Sequence, residues 1–299
     1  MKVFVSGAGG LVGSALVDAL RGDGHDVGRL VRRRGEEVAG AVFWDPDAGV
    51  VDGEGLAGAE AVVHLAGEPI AAGRWNAERK ARIRDSRTRG TRLLAAAAAA
   101  LDPPPRVLVS ASAVGYYGDR GDEVLTEDAG PGDGFLSEVC VRWEEAADAA
   151  RERGIRVVHP RIGMVLSPRG GALAKMLVPF RLGLGGVVGG GRQWVSWIAL
   201  DDLVGALCHA LGDEGLAGPV NAVAPAPVTQ RELTRTLSRV LKRPAALPLP
   251  AFAVRLLLGE MADELLLASA RADAARLSAA GFRFRYPDLG AALAALLAP

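Results

Sequence analysis

The first part of the chain alternates between short apolar runs and apolar stripes with helical spacing. Residues 3–5 form a continuous apolar run, which predicts a buried strand. Apolar residues then recur three or four positions apart from Leu11 to Leu20, which predicts an amphipathic helix directly after that strand. The chain therefore opens with a strand, a short turn and a helix.

The same alternation continues further along the chain. Apolar runs predict strands at residues 27–31, 61–67, 106–110 and 155–158, and helices are predicted at residues 79–101 and through residues 143–150. Strands that alternate with helices at this spacing imply a parallel sheet with helices on both faces. The predicted fold class is α/β, a doubly wound parallel sheet, whose ligands lie beyond the carboxyl ends of the strands.

The composition changes after residue 161. Glycine is dense at residues 183–191, prolines accumulate at residues 219–250, and the last third has mainly helical patterns. We predict a first domain at residues 1–165, to which residues 194–212 return, with Asp201 or Asp202 as a helix N-cap. Residues 166–299 are predicted to form a smaller C-terminal α/β domain that mainly faces the substrate.

A glycine-rich turn joins the first strand to the first helix. Glycine is needed where the chain turns sharply, where backbone approaches a pyrophosphate, and where the helix packs on the sheet. The first helical turn would present free N–H groups and a favourable dipole to phosphate. The alternative is a tight turn without a ligand. The turn residues predicted to bind a dinucleotide in a Rossmann domain are Gly7, Gly9, Gly10, Leu11, Val12 and Gly13.

The end of the second predicted strand indicates which dinucleotide is bound. An acidic residue at this place holds the ribose hydroxyls of NAD, whereas arginine accommodates the additional phosphate of NADP. The strand ends in Arg32, Arg33 and Arg34, so we predict NADP(H) as cofactor with Arg32 and Arg33 as phosphate ligands. The alternative is a solvated basic turn. A third set of predicted cofactor contacts is the small-residue strand end Leu65, Ala66 and Gly67.

Composition narrows the class of partner. The 299 residues include 35 basic and 35 acidic ones, and this balance argues against nucleic acid or an anionic membrane as the main partner. A small-molecule substrate is expected. Two cysteines with no secretory leader indicate free thiols in the cytoplasm, and no spacing of potential ligands implies a metal.

Several motifs together resemble one known family. They are the glycine turn, HLAGEPI at residues 64–70, SAVGYYGD at 112–119, RWE at 142–144, Arg161, KML at 175–177, PFRLG at 179–183 and Gly259 with Glu260. These motifs resemble the extended short-chain dehydrogenase/reductases, the NAD-dependent epimerase/dehydratase superfamily. More narrowly, they resemble its epimerase-like group with a distinctive C-terminal domain, often labelled nucleoside-diphosphate-sugar epimerases. The resemblance implies NADP(H) binding and a C-terminal domain that closes over a substrate.

The resemblance also implies a catalytic mechanism from which this chain departs. In the wider superfamily a tyrosine acts with a lysine four residues later, while a serine or threonine assists. With Glu144 as the anchor of the alignment, these positions hold Leu136 and Cys140, and no Tyr-x-x-x-Lys occurs in the chain. The catalytic candidates that remain are Ser112, Tyr116 and Tyr117, with Arg120 as the nearest cation in sequence to Tyr116. The alternative is that both tyrosines only pack.

Further candidates surround the expected cleft. By the resemblance, Arg161 is predicted to contact the cofactor. Residues predicted to bind the substrate are Glu68, Arg74, Lys80, Lys175 and Arg192, of which the four basic ones would hold an anionic group, and the alternative for them is a solvated surface. The group usually has a histidine where this chain has Ala199, so no imidazole is expected there.

Two functions are compatible with these residues. The first is an NADP(H)-binding oxidoreductase or epimerase-like enzyme, monomeric or homodimeric, that acts on a small polar carbonyl or alcohol. The second is an NADP(H)-binding sensor or partner-binding module with reduced catalysis, because the tyrosine–lysine pair is missing.

Overall fold

The computed structural model describes residues 1–32 and 40–298. The strands of this part of the chain are β1 Lys2–Ser6, β2 Asp26–Val31, β3 Ala41–Asp45, β4 Val50–Val51, β5 Ala61–His64, β6 Val107–Ser110, β7 Ser112–Ala113, β8 Val124–Leu125, β9 Arg156–Ile162, β10 Met164–Leu166, β11 Trp194–Val195, β12 Trp197–Ala199, β13 Gly218–Ala222, β14 Val228–Thr229 and β15 Arg271–Ala272. The α-helices are α1 Leu11–Gly22, α2 Ala77–Ala100, α3 Phe135–Glu145, α4 Asp148–Glu152, α5 Gly171–Arg181, α6 Leu200–Gly212, α7 Gln230–Leu241, α8 Ala251–Leu258, α9 Glu260–Ala262, α10 Ala275–Ala279 and α11 Leu289–Leu296. A 3-10 turn covers Val114–Tyr117, and a π-helical turn, Asp263–Leu267, continues α9.

The central sheet confirms the predicted doubly wound architecture. Its order is β13-β9-β6-β5-β1-β2-β3-β4, and β7 also pairs with β9. All pairs are parallel except β3 with β4. The strand order reverses between β1 and β5, and in such sheets this switch point creates the crevice where ligands bind.

Element boundaries differ from the sequence prediction in several places, and the predicted strand at residues 155–158 extends over Arg156–Ile162. The strand β3 was not predicted, and the predicted strand at residues 61–67 ends at His64. The helix predicted through residues 143–150 is two helices, α3 and α4, separated at residues 146–147. The strand β3 is a short apolar run at residues 41–44, and a run of this length does not by itself establish a strand.

The predicted N-cap of α6 was wrong. Ala199 occupies that position, and Asp201 and Asp202 lie in the first turn. The Asp202 carboxylate instead accepts main-chain N–H groups of Arg285 and Tyr286 at 2.7 and 2.9 Å. A carboxylate near the start of a helix can accept main-chain N–H groups of its own helix or of a distant segment. The Asp202 carboxylate accepts those of the distant segment.

The segment predicted to return to the first domain does so through its helix. The helix α6 packs against α1 beside the central sheet, whereas β12 pairs with β10 in a separate two-stranded sheet. The strand β13, within the range predicted for the C-terminal domain, pairs with β9 in the central sheet. The boundary at residue 165 stays a prediction.

Apolar side chains form separate clusters, one against the central sheet and another among the helices of the C-terminal part. One cluster lies between the sheet and α1 and α6, and includes Leu16 and Leu203. Another joins α5, α7 and α11 around Trp197, with Leu177 and Leu237 buried. Within residues 1–32 and 40–298, every helix is too short or too polar to cross a bilayer.

Candidate functional site

The glycine turn after β1 leaves no room for side chains at two positions. Gly7 has a φ of +70°, and a Cβ there would lie 2.8 Å from the backbone nitrogen of Ala66 at the end of β5. A Cβ at Gly13 would lie 2.1 Å from the carbonyl oxygen of Gly7. The two glycines therefore allow the turn, α1 and the end of β5 to pack closely.

The same turn is open on its other side. Gly9 is exposed, and apart from its own atoms and those of its two chain neighbours, no heavy atom of residues 1–32 and 40–298 lies within 4 Å of the position of a Cβ there. The N-cap of α1, Gly10, has no side chain to occupy the N–H groups of the first turn, which holds no acidic residue. These features fit a diphosphate at the positive end of α1.

The turn also adjoins the neighbouring strand end. Leu65 donates its N–H to the carbonyl of Ser6 at 3.2 Å, so the predicted strand-end contacts lie next to the glycine turn. The structure thus brings together the predicted cofactor residues of both segments. They are Gly7, Gly9, Gly10, Leu11, Val12 and Gly13 with Leu65 and Ala66, while Gly67 packs beside Arg87.

Arg32 directly follows β2. Its guanidinium donates to the Asp47 carboxylate at 2.8 Å, and 61% of its side chain is exposed. An exposed ion pair of this kind stabilises by about 0–1 kcal/mol, so a dianionic phosphate competes with it at small cost. The predicted phosphate ligand Arg33 and its neighbour Arg34 lie outside the described residues.

A buried polar pair lies beneath the turn. The hydroxyl of Ser6 and the Nδ1 atom of His64 are 2.6 Å apart, at the ends of β1 and β5. Burial, assisted by the charge of Arg87, lowers the pKa of His64 to about 3, so the ring is neutral near pH 7. The pair links the two strands that flank the crevice without adding charge.

A buried ion pair occupies the carboxyl ends of β6 and β9. Arg161 donates from Nε and Nη2 to both oxygens of Glu144, each at 2.9 Å, and Ser112 donates to the same carboxylate at 2.6 Å. Burial alone would lower the pKa of Arg161, but the hydrogen bonds and charge of Glu144 outweigh it and raise that pKa. The guanidinium stays charged.

The two tyrosines of the 3-10 turn have different environments. The guanidinium carbon of Arg161 lies 3.5 Å from the ring centroid of Tyr116, a cation–π contact. Arg161 also donates to the Tyr117 hydroxyl at 3.0 Å, and that hydroxyl donates to Asn221 at 2.7 Å. Tyr117 is fully buried, and burial raises its pKa. Tyr116 is half-buried, and its hydroxyl has no hydrogen-bond partner among the described residues.

The cation beside Tyr116 is therefore Arg161, not Arg120. Arg120 forms two hydrogen bonds with Glu123, at 2.9 and 2.8 Å. Direct contact of Arg161 with a cofactor stays a prediction. Its donors are engaged by Glu144, Tyr117 and the Glu127 carbonyl, which favours a structural role beneath Tyr116.

The side chains at the positions of the missing tyrosine and lysine lie on the buried face of α3. Leu136 and Cys140 are both buried, and burial together with the charge of Glu144 raises the pKa of the Cys140 thiol to about 12. The helix begins at a carboxylate from the C-terminal region. Both oxygens of Glu264 accept main-chain N–H groups, from Phe135 and Leu136, at 2.7 Å each.

The structure brings together only part of the predicted set of substrate residues. Lys80 donates to Glu260 at 2.7 Å and lies 4.6 Å from the ring centroid of Phe135. Lys175 donates to the carbonyl of Ala71 at 3.1 Å, so α5 contacts the loop that follows β5.

Three other predicted substrate residues have separate surroundings. Glu68 lies 3.4 Å from Arg79, and the Arg74 guanidinium lies beside Gly259. Arg192 is exposed, and no contact within the described residues joins it to this group. Whether these side chains touch a substrate stays a prediction.

Sequence reasoning assigned no role in the site to three polar residues of this region, of which Glu260 appeared only as part of a family motif. Asn221, Glu260 and Glu264 all come from the range assigned to the C-terminal domain. A signal was present for Asn221, because an amide within the apolar run of residues 220–224 predicts a buried hydrogen-bonded contact. Glu260 and Glu264 have no comparable local signal.

Comparison with known proteins agrees with this geometry. A family model described as NAD dependent epimerase/dehydratase family matches residues 3–222. The chain belongs to this family. A second model, described as a domain of unknown function (DUF1731), matches residues 249–296. The family predicted from the sequence motifs is thereby confirmed, including its distinctive C-terminal region.

Relatives resemble the chain over nearly its whole length. Epimerase family protein Mb2239 of Mycobacterium bovis is 46% identical over 294 residues, which cover 97% of this chain and 96% of the relative. Human epimerase family protein SDR39U1 is 38% identical over 301 residues, covering 100% of both. The crystal structure of human SDR39U1 (isoform2) with NADPH superposes with a TM-score of 0.89 at 36% identity, covering 99% of each chain. The epimerase-family chain therefore has an NAD(P)-binding fold.

Proposed function

We propose that this epimerase-family chain binds NADP(H) and acts on a small polar carbonyl or alcohol, as an oxidoreductase or epimerase-like enzyme. The observation that carries the proposal is the exposed guanidinium of Arg32, which directly follows β2, the strand that pairs with β1 and its open glycine turn. The human relative solved with NADPH supports it. Such a nicotinamide cofactor, when bound, donates or accepts a hydride.

The chain's own residues divide the binding of the cofactor between two elements. The first turn of α1 and the backbone at Gly9 hold the diphosphate, because they combine free N–H groups with an unobstructed approach. Arg32 holds the ribose phosphate through two of its donors. A guanidinium–phosphate contact contributes about 1.5–3 kcal/mol, or roughly 10- to 100-fold in favour of NADPH over NADH.

Tyr116 is the residue proposed to contact the substrate. Its hydroxyl is free to donate a hydrogen bond to an oxygen on which negative charge develops. Arg161 supports the ring from beneath, and Ser112 and Tyr117 complete the buried network that holds Arg161 and Glu144. Ser112 and Tyr117 thus act as positioning residues in this proposal.

The proposed substrate carries negative charge. Arg74 and Lys175 supply positive charge around the loop that follows β5, while Glu260 neutralises Lys80. The proposal keeps the predicted cytoplasmic location, which the two free cysteines, Cys140 and Cys208, support.

A pair of glycine variants tests the position of the diphosphate. Gly9→Ala adds a methyl group into open space, so folding is preserved, but the group lies where backbone and diphosphate would meet. Gly22→Ala is the matched control, because it lies at the far end of α1 and also has open space. Calorimetric titration should show at least tenfold weaker NADPH binding for Gly9→Ala only. Equal affinities in the two variants would refute this placement.

A pair of arginine variants tests the choice of cofactor. Arg32→Ala should weaken NADPH binding about 10- to 100-fold and leave NADH binding nearly unchanged, because only NADPH carries the additional phosphate. Arg106→Ala is the control, since this exposed arginine precedes β6 and so lies at the amino ends of the parallel strands, whereas Arg32 follows the carboxyl end of β2. Equal losses for both coenzymes in Arg32→Ala would contradict the assignment.

The second candidate is an NADP(H)-binding sensor or partner-binding module with reduced catalysis. It is favoured by the buried Leu136 and Cys140 at the dyad positions, and by the engaged hydroxyls of Ser112 and Tyr117. Incubation with NADPH and a panel of carbonyl compounds separates the two candidates. Turnover that Tyr116→Phe abolishes supports the enzyme, and saturable NADPH binding without turnover supports the sensor.

A further inference from the structure

Exposed apolar side chains concentrate in one part of the C-terminal half. Of the ten large apolar residues that are exposed in the described chain, eight lie at residues 178–184 and 247–257. Phe252 and Leu256 on α8 are 72% and 74% exposed. Scattered apolar residues are ordinary on a protein surface, but a concentration of this kind marks a binding surface.

These residues belong to adjoining segments. The backbone N–H groups of Leu247 and Leu249 donate to the carbonyls of Gly185 and Val187, at 3.3 and 2.9 Å. The segment after α5 therefore runs beside the segment that leads into α8. We call residues 178–184 and 242–257 the apolar–basic surface.

The helices at this surface have a buried and an exposed face. In α5, Leu173 and Leu177 are buried, whereas Val178 and the following Leu182 are exposed. In α8, Val254 is buried, and Phe252 and Leu256 are one turn apart on the exposed face. The internal core is already filled by the buried set, so the exposed set is available to a partner.

Charge is unevenly distributed around the same surface. Residues 162–200 contain four basic residues and residues 233–259 contain five, and neither range contains Asp or Glu. Arg181, Lys242 and Arg243 are exposed within the apolar–basic surface. Arg255 is the exception, because Asp263 binds it at 2.9 Å. A chain with no net charge thus has a local excess of positive charge next to exposed leucine and phenylalanine.

This combination selects among partners. A second copy would place the same patch against itself about a two-fold axis, so its arginines would meet cations without compensating acids. An anionic lipid surface satisfies both features, since apolar side chains enter the interface and basic ones contact phosphate headgroups. We propose that the apolar–basic surface binds peripherally to an anionic phospholipid bilayer.

The proposal departs from the expectation of no membrane partner. That expectation rested on the net charge of the whole chain, whereas binding to a lipid surface depends on the charge within about one Debye length of it. It requires no spanning helix. It is also independent of the proposed cofactor and substrate.

Vesicle flotation tests the proposal with the full chain. The protein should float with vesicles of phosphatidylcholine and phosphatidylglycerol, float much less with phosphatidylcholine alone, and dissociate at high salt. Phe252→Ser with Leu256→Ser should weaken binding about tenfold or more, because both apolar insertions are lost. Arg181→Glu with Arg243→Glu should also weaken binding to the anionic vesicles about tenfold or more, because both substitutions replace attraction to the headgroups by repulsion.

Matched controls separate this surface from general effects. Val50→Ser with Val124→Ser removes two other exposed apolar side chains and should leave flotation unchanged. Arg106→Glu with Arg142→Glu reverses two other exposed positive charges and should also leave flotation unchanged. Thermal unfolding of each variant reports whether the fold is retained.

Three results would overturn the proposal. The first is no flotation of the folded wild-type chain with anionic vesicles. The second is undiminished flotation of the Phe252/Leu256 variant, or loss of flotation in both control variants. The third is sedimentation showing a dimer that the Phe252/Leu256 variant dissociates without any vesicle binding, which would assign the surface to a second copy. A failure of NADPH binding would affect only the proposed function.

Discussion

Replacing Arg161 with methionine should leave a nearly buried carboxylate without its cation. The side chains of Arg161 and Glu144 are 3% and 12% exposed, and both carboxylate oxygens accept from the guanidinium at 2.9 Å. In the variant, Ser112 is the one donor to the Glu144 carboxylate that remains among the described residues. Removing one partner of a buried pair costs about 3–5 kcal/mol, so we expect the free energy of unfolding to fall by that amount.

Urea unfolding followed by circular dichroism measures this change. The control is Arg142→Met, whose ion pair with Glu138 is about half-exposed on α3 and contributes about 1 kcal/mol or less. Arg161→Met combined with Glu144→Leu should recover part of the loss, because the stranded charge is gone. Equal stabilities of Arg161→Met and Arg142→Met, or a double variant less stable than the two single losses combined, would refute the reasoning.

Three further predictions concern α3, α1 and the buried imidazole. Glu264→Ala removes both acceptors at the start of α3 and should lower the free energy of unfolding by about 1–2 kcal/mol in urea, whereas Asp263→Ala, at an exposed ion pair, should change it little. Gly13→Ala should lower the melting temperature despite the better helix propensity of alanine, because its Cβ would lie 2.1 Å from the Gly7 carbonyl oxygen; a stabilised variant would contradict the packing. The lowered pKa of His64, about 3, means that below pH 6.5 the unfolded chain binds a proton that the folded chain excludes, so stability falls as the pH decreases from 6.5 towards 3. The slope from this residue approaches about 1.4 kcal/mol per pH unit, and urea unfolding of His64→Gln across this range should show a correspondingly smaller slope.

Local sequence patterns were sufficient to predict the architecture of the sheet and the glycine turn of the site. The apolar run, glycine turn and helix at residues 2–22 depend on neighbours in sequence, because strand period, helix period and backbone sterics act over a few residues. Alternation of such units then implies the parallel sheet that β1, β5 and β6 form. The family followed from motifs spread over the chain.

Local sequence patterns could not predict contacts between segments that are distant in the chain. The strand β3 and the N-cap of α6 were missed because pairing with β2 and hydrogen bonds from Arg285 and Tyr286 decide them. In the site, the choice of Arg161 over Arg120 as the cation beside Tyr116 depends on β9 lying next to β7. Spacing along a loop carries no such information.

The amino-acid sequence by itself therefore determined the main strand–helix units, the parallel class of the sheet and the glycine cradle, since these depend on interactions within one strand–helix unit. Only the tertiary structure decided that Glu264 caps α3, that Glu144 and Arg161 share a buried site, and that basic and apolar residues far apart in the chain share a surface. The physical reason is that burial and electrostatic partners are set by three-dimensional proximity, which long-range packing creates and sequence separation conceals.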